Sequence, residues 1–359
     1  MKISLEIIIK VLIGTVLGFL FFLLINAEAR IYFKKFFFSI VYPPIIKVSQ
    51  LNDLDESIGW KTKRNLHLIQ FLNNKKFSII TNDEGSRISS KKLINKKKYE
   101  ENKIIYTIGG SQSFGWGVEN SKTFSYLFSD KINIFLKNFS INGAGTVASY
   151  LIGKEKIKDK NAIVLYGLWA DHLNRNISPC LNSGIPICFP QPFVNMKEEK
   201  IKIVSGSLKA FKDEVLFYNS KLYGESEEKI KSIKYWNESS ENRKKIEQKY
   251  LSKFLNDKVY KENSLLFVLK KLNNFVQKKN GKLFIIYIPN YLNFNDMKPI
   301  SKKLSLYFSK ENIVLIDMYD VFKKEIENGK KIRLDDGHMN EYAHKLVFNE
   351  LYKRYLKFK

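Results

Sequence analysis

The chain has 359 residues, room for one large α/β domain or two small ones, and 44% hydrophobic with 14% aromatic residues excludes a disordered chain. The net charge is +25, but only seven of the 61 Lys and Arg residues are Arg, and the lysines are scattered rather than set in one stripe. Readers of phosphates and bases lean on the planar guanidinium, so we read no nucleic-acid partner; the basic surface suits an anionic polysaccharide or anionic lipid head groups.

Ile7 to Ile25, "IIIKVLIGTVLGFLFFLLI", is apolar but for Lys10, about one bilayer's worth of helix. Lys10 lies near its start, where it can snorkel to the interface. Ala27-Glu28-Ala29 fits the small-residue cleavage pattern of a signal peptide. The apolar run is longer than a usual signal core, and Ile31 to Val48 stays apolar, so an uncleaved N-terminal transmembrane anchor (residues 1–29) is favoured over a signal peptide. Lys2 and Lys10 precede the span, and Arg30, Lys34 and Lys35 follow it, so flanking charge leaves orientation open. Residues 30–102 form a membrane-proximal segment: a stalk to about residue 60, then a β-hairpin over Lys76–Ser90 turning at Asp83-Glu84-Gly85, then a Lys/Asn-rich linker.

From residue 103 onward, short apolar runs alternate with helical patterns. Strands are predicted at Lys103–Ile108, Asn161–Gly167, Lys282–Ile288 and Asn312–Asp317, with a weaker one at Asn138–Ile141. Helical spacing covers Phe124–Phe135, Ser264–Lys278 and Glu341–Leu356. Strands separated by helices predict an α/β domain over 103–359, a parallel sheet covered on both faces, whose chemistry gathers at the strands' carboxyl ends. Residues 195–262, rich in Lys and Glu, read as a helical insertion. Cys180 and Cys188, in "SPCLNSGIPIC", flank a loop with Gly184 and Pro186 that can close. Two free thiols and a disulfide are both open; the apolar N-terminus tips the reading towards a bridge and an outward-facing domain. No ligand spacing suggests a metal, and no cofactor is expected.

Ser111 follows the first strand of this domain. Gly109 and Gly110 before it permit a sharp turn. A nucleophilic serine needs a base, and the chain has four histidines: His67, His172, His338 and His344. His67 reads as structural. His338, in "LDDGHMNEYAH", has Asp335 three residues before it, a spacing at which an acid in a tight turn can orient an imidazole. A parallel sheet can bring the early serine and the late acid–base pair to one rim.

"GGSQSFGWG" and "DDGHMN" resemble, in order, the first and last blocks of the SGNH (GDSL-like) hydrolase family, Asn340 and His344 included. The resemblance implies a flavodoxin-like three-layer α/β/α sandwich. It implies Ser111 as nucleophile, His338 as base and Asp335 as its partner. The oxyanion hole would be built from the backbone N–H of Ser111 and, through "INGAGTVAS", that of Gly143. Two departures stand out. Gly110 replaces the family's Asp before the serine. Asp171 overlays the block III Asn, and an ionised carboxylate there repels an oxyanion. Asp171 must then be protonated or point elsewhere, or His172 or Asn174 donates instead.

Two functions follow. One is a membrane-anchored serine esterase or O-acyltransferase with an acyl-enzyme, acting on an acylated small molecule or on ester-linked acyl groups of a cell-surface glycan, its catalytic domain periplasmic or extracellular. The other is a non-catalytic glycan-binding or assembly protein of an envelope polysaccharide system. A nucleotide-binding reading lacks a P-loop or a full G-x-G-x-x-G after the first strand.

Overall fold

The computed structural model describes residues 12–16, 18–19, 22, 51–72, 75–89, 103–180, 188–203, 241–249, 257–290, 302–309 and 313–358. The chain divides into two compact units, residues 1–47 with 185–187 and 212–242, and residues 48–184 with 188–211 and 243–359. In the first, residues 12–16 and 18–19 are helical. Most of the expected Ile7–Ile25 anchor lies outside the described residues, among which no helix is long and apolar enough to cross a membrane. The linker at 90–102 and most of the stalk also lie outside them. Everything that follows belongs to the second unit.

Its centre is a sheet of eight strands in the order β12-β11-β8-β6-β7-β5-β4-β3. Five are parallel: β6 (Ile104–Gly109), β7 (Phe135–Asn138), β8 (Ile163–Trp169), β11 (Lys282–Ile288) and β12 (Val314–Asp317). Numbered among themselves, they run 2-1-3-4-5, the doubly wound order of flavodoxin-like sheets. The alternation along each strand accounts for the layers. Leu283, Ile285 and Tyr287 join one core with Tyr106, Ile108, Val164 and Tyr166, beneath the helices Thr146–Lys156 and Lys258–Gln277. Phe284, Ile286 and Ile288 join the opposite core with Ile105, Leu165 and Ile316, beneath Phe124–Ile132, Tyr319–Glu327 and Glu341–Leu356. Strands buried on both faces read as unbroken apolar runs, which is why these segments stand out in the sequence.

The remaining strands correct the expectation of an all-parallel sheet, and the expected hairpin forms within this sheet rather than apart from it. β3 (His67–Leu72), β4 (Lys75–Thr81) and β5 (Arg87–Ile88) run antiparallel and continue the same sheet, β5 meeting β7 through Arg87 and Asn138. A parallel sheet ending at the short β7 leaves backbone groups unpaired, and the hairpin covers that edge. A second ribbon, β1 (Asn52–Asp55) with β2 (Gly59–Thr62), packs Trp60 into the first core and donates its indole N–H to the Asn142 carbonyl at 2.8 Å. In the region 195–262, the described part begins as a ribbon, β9 (Phe193–Asn195) with β10 (Lys200–Lys202), rather than as helix. The helix Lys258–Gln277 starts earlier than its apolar spacing predicts because the Asp257 side chain accepts from the Tyr260 N–H and caps it.

Candidate active site

β6 ends at Gly109, and the chain turns at once into a one-turn helix, Ser111–Phe114, which we call α1. Gly110 precedes the serine because no side chain fits there: a Cβ at 110 would stand 2.8 Å from the Ala144 carbonyl oxygen and 2.9 Å from His172 Nε2. That crowding accounts for the missing Asp. The same closeness seats the turn after β7 against the nucleophile turn. Gly143 lies in that turn at φ +86°, a conformation that favours glycine. Among the described residues neither the Ser111 N–H nor the Gly143 N–H donates a hydrogen bond.

Ser111 Oγ lies 2.8 Å from His338 Nε2, across 227 positions of sequence. The acid beside the imidazole is Asp336, not Asp335. Asp336 Oδ2 stands 2.9 Å from His338 Nδ1, and its Oδ1 accepts from the His338 backbone N–H at 3.1 Å. The ring contact is short, but its geometry is not that of a hydrogen bond. The turn explains the choice between adjacent acids. The Gly337 N–H bonds the Leu334 carbonyl, so Asp335 and Asp336 occupy the corners of a four-residue turn. Asp335 then faces outward and pairs with Lys331 at 2.6 Å, while Asp336 curls back on His338. Partial burial raises the Asp336 carboxyl, but the nearby His338 ring, the His338 backbone N–H and the Trp116 side chain outweigh this and hold it below the usual carboxylate range. The Trp116 ring also stands beside His338, centroids 6.4 Å apart.

The block III candidates lie on the turn that follows β8. Asp171 Oδ2 accepts from Arg175 Nε at 2.8 Å and its Oδ1 from Asn174 at 3.2 Å, so its charge is engaged within its own turn. Asn174 is exposed. His172 is fully buried, its Nδ1 2.8 Å from the Tyr166 hydroxyl, and burial followed by Arg175 keeps its ring neutral by pushing its pKa well down. Its Nε2 has no hydrogen-bond partner among the described residues and lies under Gly110, closed off from solvent. His172 therefore supports the turn from beneath.

Asn340 caps the last helix, accepting from the Ala343 N–H at 2.9 Å, and His344 is buried against Phe124, whose N–H it accepts at 3.3 Å. Burial, then the charges of Arg87, Arg333 and His338, take His344 down to about 3. Cys180 and Cys188 are joined as a disulfide with Cα atoms 5.0 Å apart. His67 lies on the exposed side of β3. Cavities of about 460 and 290 Å³ lie elsewhere, lined by β12 and the last helix and by β1, β2 and the end of β7, and touch neither Ser111 nor His338.

Four residues escaped the sequence reading: Asp336, Gln112, Trp116 and Arg87. Gln112 and Trp116 sit inside the quoted serine block, and Asp336 adjoins the chosen acid. Position near the motif was the available signal, but only the fold says which neighbours face the site.

No family model and no curated protein matches the chain. Several solved structures are similar to it at low identity. A lipolytic G-D-S-L protein from Veillonella parvula is 12% identical, over 70% of this chain and 97% of its own, at a TM-score of 0.40. A psychrotrophic esterase from Pseudoalteromonas is 16% identical, over 72% and 98%, at 0.38. A carbohydrate esterase family 2 enzyme from Corynascus thermopiles is 10% identical, over 77% and 71%, at 0.39. At these scores the likenesses carry no argument about activity, which rests on the geometry.

Proposed function

We propose that the chain is an SGNH-type serine hydrolase whose nucleophile is Ser111. The observation that carries the reading is the 2.8 Å contact between Ser111 Oγ and His338 Nε2, with Asp336 on the far ring nitrogen. His338 takes the hydroxyl proton as Oγ adds to an ester carbonyl. The N–H groups of Ser111 and Gly143 receive the tetrahedral oxyanion. Its collapse breaks the carbonyl–alkoxy bond, and His338 returns the proton to the departing alcohol. Water, deprotonated by His338, then releases the acid and restores the serine; a sugar hydroxyl in place of water would transfer the acyl group instead. The triad is common to both outcomes, so esterase and O-acyltransferase are one proposal with two acceptors.

The N-terminal apolar run and the disulfide support an anchored, extracytoplasmic enzyme. The basic, Lys-rich chain supports an anionic surface glycan bearing ester-linked acyl groups as its substrate. The pairing of Asp171 with Arg175 supports the catalytic reading over the non-catalytic one.

The test is turnover. The full chain in detergent should hydrolyse p-nitrophenyl acetate and release acetate from an O-acetylated polysaccharide, and Ser111→Ala should do neither. Well-folded wild type that leaves both esters untouched would move the protein to the non-catalytic reading.

A further inference from the structure

The contact between Ser111 and His338 joins two loops that no secondary-structure element connects, so something must set their spacing. Two side chains from the Ser111 turn reach the His338 turn, Trp116 through its ring and Gln112 through its amide. Gln112, the residue after the nucleophile, is 3% exposed and reaches into the His338 turn. Its Oε1 accepts from the Met339 backbone N–H at 3.0 Å and from Arg333 Nη1 at 3.2 Å. Its Nε2 donates to the Gly337 carbonyl at 3.4 Å. Gly337 and Met339 bracket His338, so one amide holds the residues on either side of the imidazole. Arg333 ties the same carbonyl onward, donating through Nη2 to the Pro289 carbonyl just past β11 at 2.9 Å.

We infer that Gln112 is a positioning residue, which sets the distance between nucleophile and base by clamping the His338 turn to α1. The inference rests on the serine-hydrolase reading and names a part of its machinery that the catalytic residues do not include. An amide suits the task because it accepts twice and donates once from one planar group. A leucine of similar size offers none of the three bonds and leaves Arg333 and the Met339 N–H without their shared acceptor. A glutamate keeps both accepted bonds, strengthens the one to Arg333, and loses only the long donation to Gly337. It also brings a negative charge beside His338, which favours the imidazolium.

The experiment measures fluorophosphonate labelling of the full chain against pH, resolving the maximal rate from the probe's apparent affinity. In Gln112→Leu the maximal rate should fall about 100-fold while affinity stays within about threefold, the signature of a misplaced base rather than a lost binding contact. In Gln112→Glu the plateau rate should stay within about tenfold of wild type, and the acid limb should move up by about half a pH unit or more. A purely structural role predicts lowered stability in both variants, with the folded fraction of each labelling at the wild-type maximal rate. Should Gln112→Leu fail to fold, Gln112→Glu decides alone, and a plateau more than about tenfold below wild type overturns the inference. Folded Gln112→Leu labelling at the wild-type rate overturns it too. Wild type that never labels removes the hydrolase reading and this inference together; wild type that labels alongside indistinguishable variants removes only the role of Gln112.

Discussion

The two flanks of Ser111 are held by different means. On the β5 side, Arg87 is fully buried and donates to four backbone carbonyls: Phe114 and Gly115 at 2.6 Å, Val118 at 2.7 Å and Ser78 at 3.0 Å. Its guanidinium also lies 4.8 Å from the Phe114 ring centroid. Burial lowers it to about 10, partly offset by Glu119, so it stays charged at neutral pH. On the other flank, His338 sits in a short turn with an exposed acid, Asp335, and the partly buried Asp336, gripped mainly through Gln112. Ser111 is built into a core, and His338 is clipped onto it. Damage to the first flank should therefore appear as lost stability, and damage to the second as lost rate.

Five substitutions or conditions sharpen that contrast. The largest effect expected is on the clipped side, where His338→Ala should slow labelling of Ser111 by about 10⁴-fold or more with little change in the unfolding midpoint. Arg87→Met should do the reverse. It removes the side-chain donor shared by four backbone carbonyls and should lower unfolding free energy by about 3–5 kcal/mol, read from urea melts, while the folded fraction labels within about tenfold of wild type. Equal loss of rate and stability in both variants would dissolve the distinction between flanks.

Asp336→Asn should cost about 10²–10³-fold in labelling rate, less than a fully buried triad acid would, because its carboxylate meets solvent. Asp335→Asn should cost less than about threefold, since it removes only a surface pair with Lys331. The reverse ranking would restore Asp335 as the acid.

The smallest effect concerns pH and stability. His344 is depressed to about 3 in the fold against 6.5 when unfolded, and His172 is depressed as well. Between those values the unfolded chain binds more protons, so stability is full above about pH 6.5 and falls as pH drops towards 3. Each histidine adds at most about 1.4 kcal/mol per pH unit to that slope, and His344→Gln should flatten it in thermal melts taken at pH 4–7.

The same division governs what the sequence discloses. β6, β8, β11 and β12 are apolar runs between turns, Ser111 follows β6 and His338 precedes the last helix, so periodicity and motif order were enough to find them. The choice of Asp336 over Asp335 depends on which corner of one turn each occupies, and two adjacent acids carry no periodic signal. Arg87 lies in an isolated hairpin whose place in the main sheet is fixed by β7's free edge, a tertiary fact. Gly110 is similar: its lack of a side chain is explained only by Ala144 and His172 closing on it from distant turns. Asp171, which looked hostile to an oxyanion, is answered by Arg175 one helical turn later, a spacing visible in the sequence once a helix is assumed there.

The most direct test of the central claim is mass-spectrometric mapping of a fluorophosphonate adduct on the full chain. The account predicts a single phosphonylated peptide carrying Ser111, formed quickly above neutral pH and lost in His338→Ala. An adduct on any other serine, or a Ser111 adduct formed at the same rate without His338, would contradict it.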